Sequence, residues 1–197
     1  FSVCSFENPT AIHVTKFMEK FIGKSFNFRK DHSHRINEDE FKEAIVLTDN
    51  YFSFIHTGQV DVTIQGLLHK LTEVVKKKGV KGVVIHPWNY IEHKIPAGYT
   101  ETQYISESLT EMKSFAVKYG VHLFLIAHPT KMLKDKKTGK YEVPTLYSIS
   151  GSAHFFNKTD NGLTVYRDFQ TGVVDIHVQK IRFSWMGKIG VTSFSYD

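Results

Sequence analysis

The sequence predicts an α/β protein with a mostly parallel sheet flanked by helices and antiparallel strands at its C-terminal end. Short apolar runs typical of buried strands alternate with amphipathic helical patterns along most of the chain, and three strand patterns follow one another near its end. The chain has 197 residues, of which 41% are hydrophobic, enough for one core of ordinary size. We therefore expect a single domain over residues 1–197.

Helix and strand patterns alternate as far as Pro129. An Asn8-Pro9 start, a cap at Asn37 and a cationic end before Gly79 delimit three of the helices. Runs of Val, Ile, Leu and Phe indicate the strands between them. The predicted elements are, in order, a strand at 1–6, a helix after Pro9, a helix at 38–48, a strand at 51–55, a helix at 63–79, a strand at 82–85, a helix at 100–119 and a strand at 121–129.

The last part of the chain has a different order. A mixed helix and loop stretch at 148–161 precedes strands at 162–168, 172–183 and 191–197. Consecutive strands joined by short connections pair antiparallel, which predicts the antiparallel end of the sheet.

Charge and cysteine content restrict the partners and the compartment. The formal net charge is +5, and five lysines fall within 131–140, beside Gly139, which predicts an exposed, strongly positive loop; a solvated loop without a partner is an equal alternative. The single Cys4 excludes an internal disulfide and a cysteine zinc cage and fits the cytoplasm or another reducing compartment. No apolar run reaches the roughly 20 residues that span a bilayer, and no signal peptide is visible.

Three strand patterns end in a polar residue that could carry chemistry. Glu7, His86 and His128 each follow an apolar run, and the carboxyl ends of parallel strands meet at one edge of a sheet, where ligands bind. One such residue alone is more often capped or solvated, but three at one edge favour a site. Glu7 could act as a general base or could interact with the dipole of the next helix. His128 could donate to a phosphate or to a nearby carbonyl.

A pair of cations lies on a later strand pattern. Lys180 and Arg182 are two residues apart and therefore project on the same side of that strand. They could be plain surface residues, or they could reach a phosphate, which a guanidinium binds in a bidentate manner.

Taken together, the motifs resemble the RecA-like core of ring-shaped replicative helicases, the DnaB-type and Twinkle-like group that includes phage and plasmid primase-helicases. "SFENP" is similar to the strand and catalytic glutamate of that group, and "GVVIHPWNYIEH" to its Walker B strand. "VHLFLIAHPTK" resembles the strand with a phosphate-sensing residue, "SISGSAHFFNKTDNGLTVYRD" the DNA-binding loop, and "VQKIRF" with "GKIG" the segment that supplies a lysine and an arginine finger. The motifs cover essentially the whole chain in the family's order.

The resemblance implies a bacterial or phage-type, ATP-driven DNA helicase that uses Mg²⁺ and assembles into a ring, a hexamer, around single-stranded DNA. It implies that Glu7 polarises the attacking water, that His128 senses the γ-phosphate and that Lys180 and Arg182 act in trans. It places His86, together with Glu7 and His128, at the nucleotide. The DNA contacts that it implies are Lys131, Lys134, Lys136, Lys137, Ser152, His154, Asn157 and Lys158.

Two features depart from the family pattern. No glycine-rich turn ending in Gly-Lys-Ser/Thr occurs in the chain, since Gly23-Lys24-Ser25 lacks the preceding glycine and strand and follows the glutamate. His86 stands where the family has an aspartate, and an imidazole is a poor ligand for Mg²⁺.

We therefore expect an incomplete helicase core, the part after the phosphate loop, that does not hydrolyse ATP alone. The alternative is a degenerate RecA-like module that binds single-stranded nucleic acid or partner proteins without hydrolysis. A third hypothesis, a metal-dependent hydrolase using His86, His93 and His128, has only the histidine content in its favour.

Overall fold

The computed structural model describes residues 1–27, 34–56, 58, 61–135, 139–149 and 153–195. The chain divides into two compact units. The first contains Phe1–Lys94 and Met112–Ile126, and the second contains Ile95–Glu111 and Ala127–Asp197. None of the described helices is long and apolar enough to cross a membrane.

A four-stranded parallel sheet forms the centre of the first unit. Its strands lie in the order β2-β1-β3-β4, so β1 and β3 are the inner pair. Cys4, Val83 and Ile85 on these inner strands are fully buried, as expected for strands covered on both faces. The strands are β1 (Ser2–Ser5), β2 (Ser53–Ile55), β3 (Gly82–His86) and β4 (His122–Leu125).

Helices flank this sheet, and the chain marks their ends with local signals. Asn37 caps its helix in a reciprocal pair with Glu40, which is a capping box. Gly23 and Gly79 end two helices in the left-handed conformation that glycine adopts without strain. The helices are α1 (Thr10–Ile22), α2 (Glu38–Tyr51), α3 (Ile64–Lys78) and α4 (Glu101–Tyr119), of which α4 continues from the second unit into the first.

The hydrophobic core of the first unit lies between the inner strands and the helices. Ile64, Leu67 and Leu71, spaced on one face of α3, are completely buried. Phe17 of α1 stacks on Phe52 with ring centroids 4.3 Å apart, which anchors α1 beside the start of β2.

The second unit contains an antiparallel sheet and a short helix. The sheet order is β5-β6-β7, with a register shift between Gly162 and Leu163. Short 3-10 turns lie at Leu146–Ser148 and Ser184–Met186 in this unit and at Trp88–Tyr90 in the first unit. The elements are α5 (His154–Lys158), β5 (Asn161–Arg167), β6 (Val173–Ile181) and β7 (Gly190–Ser195).

The fold class predicted from the sequence is confirmed, with one refinement. In the described part of the chain, the antiparallel strands pair with one another and form a sheet of their own. The single-domain expectation over 1–197 stays a prediction.

Several predicted strands are shorter in the structure. The predicted strand at 121–129 is ordered as a strand only over His122–Leu125. Phe124 on it is 43% exposed, although its sequence is typical of a buried strand. The reason is the position of β4, which pairs only with β3 among the described strands and therefore lies at a sheet edge.

Candidate functional site

The register of the inner strands brings two predicted site residues to one edge. Ser5 at the end of β1 lies opposite His86 at the end of β3, and the backbone N–H of Phe6 donates to the His86 carbonyl at 2.8 Å. Glu7 follows two residues after β1, between that strand and α1. This edge is where an open parallel sheet binds ligands.

Glu7 and His86 are close neighbours at this edge. The distance from Glu7 Oε2 to His86 Nε2 is 3.8 Å. The side chains are 35% and 23% exposed respectively, so both remain accessible to a ligand or to water. Of the three strand-end residues predicted to meet at one edge, the structure thus brings Glu7 and His86 together.

Two residues that the sequence analysis missed extend this pair. The Ser5 hydroxyl lies 3.4 Å from Nδ1 of His86 and 2.7 Å from Nε2 of His13 on α1. The imidazoles of His13 and His86 are arranged edge to face, with centroids 5.9 Å apart. Partial burial, and then the proximity of His86, lower the pKa of His13 below its usual value. His13 is therefore held in its neutral form over a wider range of pH.

A signal for these residues was present in the sequence. Ser5 stands two residues before Glu7, and His13 stands one turn into the helix that follows it. The loop between β1 and α1 is short, so a residue in the first turn of α1 must lie near the end of β1. Neither residue belongs to a motif of the family that the sequence resembles, so the motifs did not identify them as site residues.

The other predicted nucleotide residue, His128, belongs to the second unit. It follows the last residue of β4 by three positions, and its side chain has interactions within the protein. Its approach to a phosphate stays a prediction.

The donors at this edge do not form a magnesium site. Glu7 supplies one carboxylate, and the neighbouring ligand is an imidazole, whereas Mg²⁺ requires oxygen donors in near-octahedral geometry. Among the residues that the structure describes, no group of three His, Cys, Asp or Glu side chains is arranged to hold a metal ion. His93, the third histidine of the metal-hydrolase hypothesis, packs on the indole of Trp88 at 4.5 Å between ring centroids.

The rejected phosphate-loop candidate has another structural role. Gly23 ends α1, Lys24 forms an ion pair with Glu40, and the Ser25 hydroxyl donates to Glu19 Oε1 at 2.9 Å. A phosphate loop connects a strand to the start of a helix, whereas this segment follows the end of one. The geometry therefore agrees with its rejection.

A second cluster surrounds the carboxyl end of α5. Lys180 Nζ donates to the carbonyl of Phe156 and, at 3.3 Å, to that of Asn157. Arg182 Nη2 donates to the same Asn157 carbonyl at 3.4 Å, and its Nε lies 2.7 Å from Asp160 Oδ1. The two cations thus project on the same side, as predicted, and both contact the last turn of α5.

Lys158, predicted as a DNA contact, is bound to protein groups. Its ammonium donates to the Ser106 carbonyl at 2.6 Å and to the Thr110 hydroxyl, both on α4. His154 also has interactions within the protein, whereas the Asn157 side chain is exposed. Lys158 therefore anchors α5 to α4 in this structure, and its contact with DNA stays a prediction.

The lysine loop is partly described. Lys131 is exposed, and the Lys134 ammonium lies 5.1 Å from the centroid of the Tyr141 ring, at a cation–π distance. Lys140, at the end of the loop, forms an ion pair with Asp168 at 2.6 Å. The remaining predicted contacts, Lys136, Lys137 and Ser152, lie outside the described residues.

Comparisons with known proteins identify the class first. The fold is similar to a solved ATPase domain, with a TM-score of 0.74 at 16% identity over 99% of this chain and 70% of that one. It is also similar to a DnaB-like replicative helicase, described with its interactions with primase, with a TM-score of 0.75 at 16% identity over 100% of this chain and 49% of that one. The chain therefore has a RecA-like helicase core fold.

The comparison of sequences adds a relative of known name. The chain is 36% identical over 208 aligned residues to the Twinkle homolog protein, chloroplastic/mitochondrial, of Arabidopsis thaliana, with a match that covers 100% of this chain. No protein-family model matches the sequence. Sequence and fold together support a RecA-like helicase core, and the chain spans 28% of the length of this relative.

Proposed function

We propose that this chain contributes to ATP-driven DNA unwinding as the part of a replicative helicase core that follows the phosphate loop. The observation that carries the proposal is the position of Glu7, at the carboxyl end of an inner strand and 3.8 Å from the residue that ends the neighbouring inner strand. The resemblance noted in the sequence implies that the catalytic glutamate of such a core follows this strand. The match to a Twinkle homolog over the whole chain supports the same assignment.

In this proposal, Glu7 accepts a proton from the water that attacks a bound nucleotide. A carboxylate can do so when it lies within hydrogen-bond reach of that water, and Glu7 is exposed enough to be reached. His128 would contact the γ-phosphate. Among the described residues, the donors form neither a phosphate cradle nor a magnesium site; in this proposal another part of the helicase core supplies both.

Lys180 and Arg182 would act on a nucleotide held by a neighbouring subunit of a ring, which we propose to be a hexamer. An arginine supplied in trans contributes about 10³-fold or more in the rate of phosphoryl transfer. Both residues contact the carbonyls of α5, within the segment proposed to bind DNA. A shift of α5 on DNA would therefore alter the position of the two cations.

Single-stranded DNA would be bound through its phosphates by Lys131, Lys134, Lys136 and Lys137, with Ser152, His154 and Asn157 as further contacts. Lys158, which the sequence resemblance also implied as a contact, donates to α4 in this structure, and we propose that it holds α5 in place. The net charge of +5 favours such a polyanion. We propose a reducing compartment from the lone buried Cys4, while the name of the Arabidopsis relative refers to chloroplasts and mitochondria.

The direct test is a steady-state ATPase assay on the isolated chain with single-stranded DNA. We expect no turnover, because the chain lacks a phosphate cradle. Turnover that disappears in Glu7→Ala would contradict the incomplete-core part of the proposal. Sequencing of the coding region upstream of Phe1 for a glycine-rich Lys-Ser/Thr motif is the complementary observation.

A second candidate function is a RecA-like module that binds single-stranded nucleic acid or a partner protein without hydrolysing ATP. His86 in place of a carboxylate is the observation that favours it, because the imidazole cannot replace Asp toward Mg²⁺. The two candidates differ in a chain supplied with a phosphate loop: His86→Asp should raise Mg²⁺-dependent hydrolysis if a carboxylate was lost. No hydrolysis in either form would favour the binding module.

A further inference from the structure

The histidine that departs from the family pattern lies in a row of four polar side chains. The row runs from His13 on α1 through the Ser5 hydroxyl and the His86 imidazole to the Glu7 carboxylate. Its successive separations are 2.7, 3.4 and 3.8 Å. All four residues belong to the first unit, and three of them surround the junction of β1 with α1.

The two nitrogens of His86 face different partners. Nε2 faces Glu7, and Nδ1 faces Ser5. A carboxylate only accepts hydrogen bonds, so a neutral imidazole beside Glu7 is favoured with its proton on Nε2. Nδ1 is then an acceptor, and the Ser5 hydroxyl can donate to it.

The contact between Ser5 and His13 is compatible with this direction of the row. An oxygen that donates its proton to His86 can accept the Nε2–H of His13 at 2.7 Å. The Ser5 hydroxyl also lies 3.4 Å from the Asn8 carbonyl, which competes for its proton at the same distance as His86. The short bond to His13 is compatible with either orientation of the hydroxyl, but only donation to Nδ1 links both imidazoles to Glu7.

An aspartate at position 86 could not make this arrangement. It has no proton to donate at neutral pH, and its charge would repel Glu7 at the same edge. Histidine can donate to the carboxylate with one nitrogen and accept from Ser5 with the other. The exchange of residue type thus replaces a metal-directed carboxylate by a group that can orient Glu7.

We propose that Ser5, His13 and His86 are positioning residues that orient the Glu7 carboxylate through this row, in which two hydrogen bonds join His13, Ser5 and His86, and His86 faces Glu7 at an ion-pair distance of 3.8 Å. The inference rests on the proposed function only for the use of Glu7; the row itself is a property of the isolated chain. His86 is then a functional part of a rebuilt site and not merely a lost metal ligand. The row acts through Glu7 and does not itself contact the reacting atoms.

The test is a long-range nitrogen–proton correlation spectrum of the imidazoles in the ¹⁵N-labelled chain, recorded at about pH 8, above the ordinary pKa of an imidazole. The tautomer of each histidine is read directly from its two nitrogen resonances. We expect His86 to carry its proton on Nε2 and His13 to carry its proton on Nε2. A His86 proton on Nδ1 would overturn the proposal, because that nitrogen could not accept from Ser5.

Variants show whether the four groups act as a row. Ser5→Ala should shift the Nδ1 resonance of His86 and the Nε2 resonance of His13, and Ser5→Thr, which keeps the hydroxyl, should restore both. Glu7→Gln should shift Nε2 of His86. The matched control is His69→Ala, because His69 lies on the surface of α3, 80% exposed and beside Glu73; it should leave both imidazoles unchanged.

The outcomes separate this inference from the proposed function. If Ser5→Ala leaves the His13 signals unchanged, the row does not exist. The proposed helicase function is not affected by that result, because the spectra are recorded without nucleotide or DNA. If the row is found but the DNA-binding and ATPase results contradict the proposed function, the proposed function is wrong and the row remains. Should Ser5→Ala lose the circular dichroism of the folded chain, Glu7→Gln decides: an unchanged Nε2 signal of His86 would refute the proposal.

Discussion

Replacement of Lys158 by methionine tests whether Lys158 anchors α5 to α4 or binds DNA. Methionine keeps an unbranched apolar side chain of similar length but removes the ammonium. In the structure that ammonium donates to the Ser106 carbonyl at 2.6 Å and to the Thr110 hydroxyl. Loss of Lys158 would leave the attachment of α5 to α4 without these two hydrogen bonds.

The expected magnitude follows from the partners and their exposure. A hydrogen bond to a charged group contributes about 1.5–3 kcal/mol, and the value falls toward the lower end where solvent can replace it. The bond to Ser106 is partly buried, whereas the bond to Thr110 is exposed. We therefore expect Lys158→Met to lower the free energy of unfolding by about 2 kcal/mol.

The assay combines urea unfolding with DNA binding at several salt concentrations. Lys158→Met should move the unfolding midpoint while leaving the denaturant slope unchanged. It should also leave the salt dependence of single-stranded DNA binding unchanged, because the ammonium is held at α4 by both hydrogen bonds. The matched control is Lys131→Met, whose exposed lysine should show the opposite pattern: unchanged stability and a salt slope lower by about 0.7.

Two results would refute this reasoning. A normal unfolding midpoint together with a flatter salt slope would show that Lys158 contacts phosphate and that its bonds to α4 contribute little. An unchanged salt slope in Lys131→Met would remove the 131–140 loop from the DNA interface.

Three further predictions concern the scaffold that holds the site. Asn37→Ala removes the side-chain half of its reciprocal cap with Glu40 and should lower the free energy of unfolding by about 1 kcal/mol in urea, and a change below the error of the measurement would show that the cap is dispensable. Leu67→Ala empties a fully buried position on α3 and should lower that free energy by about 2–5 kcal/mol; a loss under about 1 kcal/mol would mean that the core there can collapse. Burial raises the pKa of Cys4 to about 12, so alkylation of the folded chain at about pH 8 should be negligible and should become rapid in urea. Since the raised pKa means that the folded thiol keeps its proton where the unfolded one loses it, stability should fall as the pH rises above the unfolded value of 9.0; rapid labelling of the folded chain or a pH-independent stability contribution from Cys4, measured against Cys4→Ala, would contradict this.

The sequence predicted the elements of the fold well because their signals are local. The cap at Asn37 and the cationic helix end before Gly79 act within one helical turn, and the structure places α2 and α3 accordingly. Strand lengths were less accurate, as in the stretch 121–129, because a strand continues only where a neighbouring strand offers hydrogen-bond partners. That depends on sheet order, which no local pattern contains.

The candidate site also combines features that the sequence predicts with features that depend on tertiary structure. Glu7 and His86 were predicted to meet because both follow apolar runs in a sheet predicted to be parallel, and the meeting requires only that β1 and β3 be neighbours. Ser5 and His13 were missed because a serine and a histidine have no distinctive spacing, and their contact arises from the angle at which α1 leaves β1. The pairing of Arg182 with Asp160 was missed for a related reason, since it depends on the turn between α5 and β5.

The amino-acid sequence by itself predicted the class of this chain: a parallel α/β core with an antiparallel end, a glutamate at a strand end and a histidine where the pattern of the family it resembles has an aspartate. Such features depend on residue order and on hydrophobic period, which are properties of the chain. Only the tertiary structure decided what the side chains do. Lys158 binds α4, Lys180 and Arg182 bind the carbonyls of α5, and His86 faces Glu7 on one side and Ser5 on the other. These roles depend on distances of a few ångströms between residues far apart in sequence, and packing alone sets them.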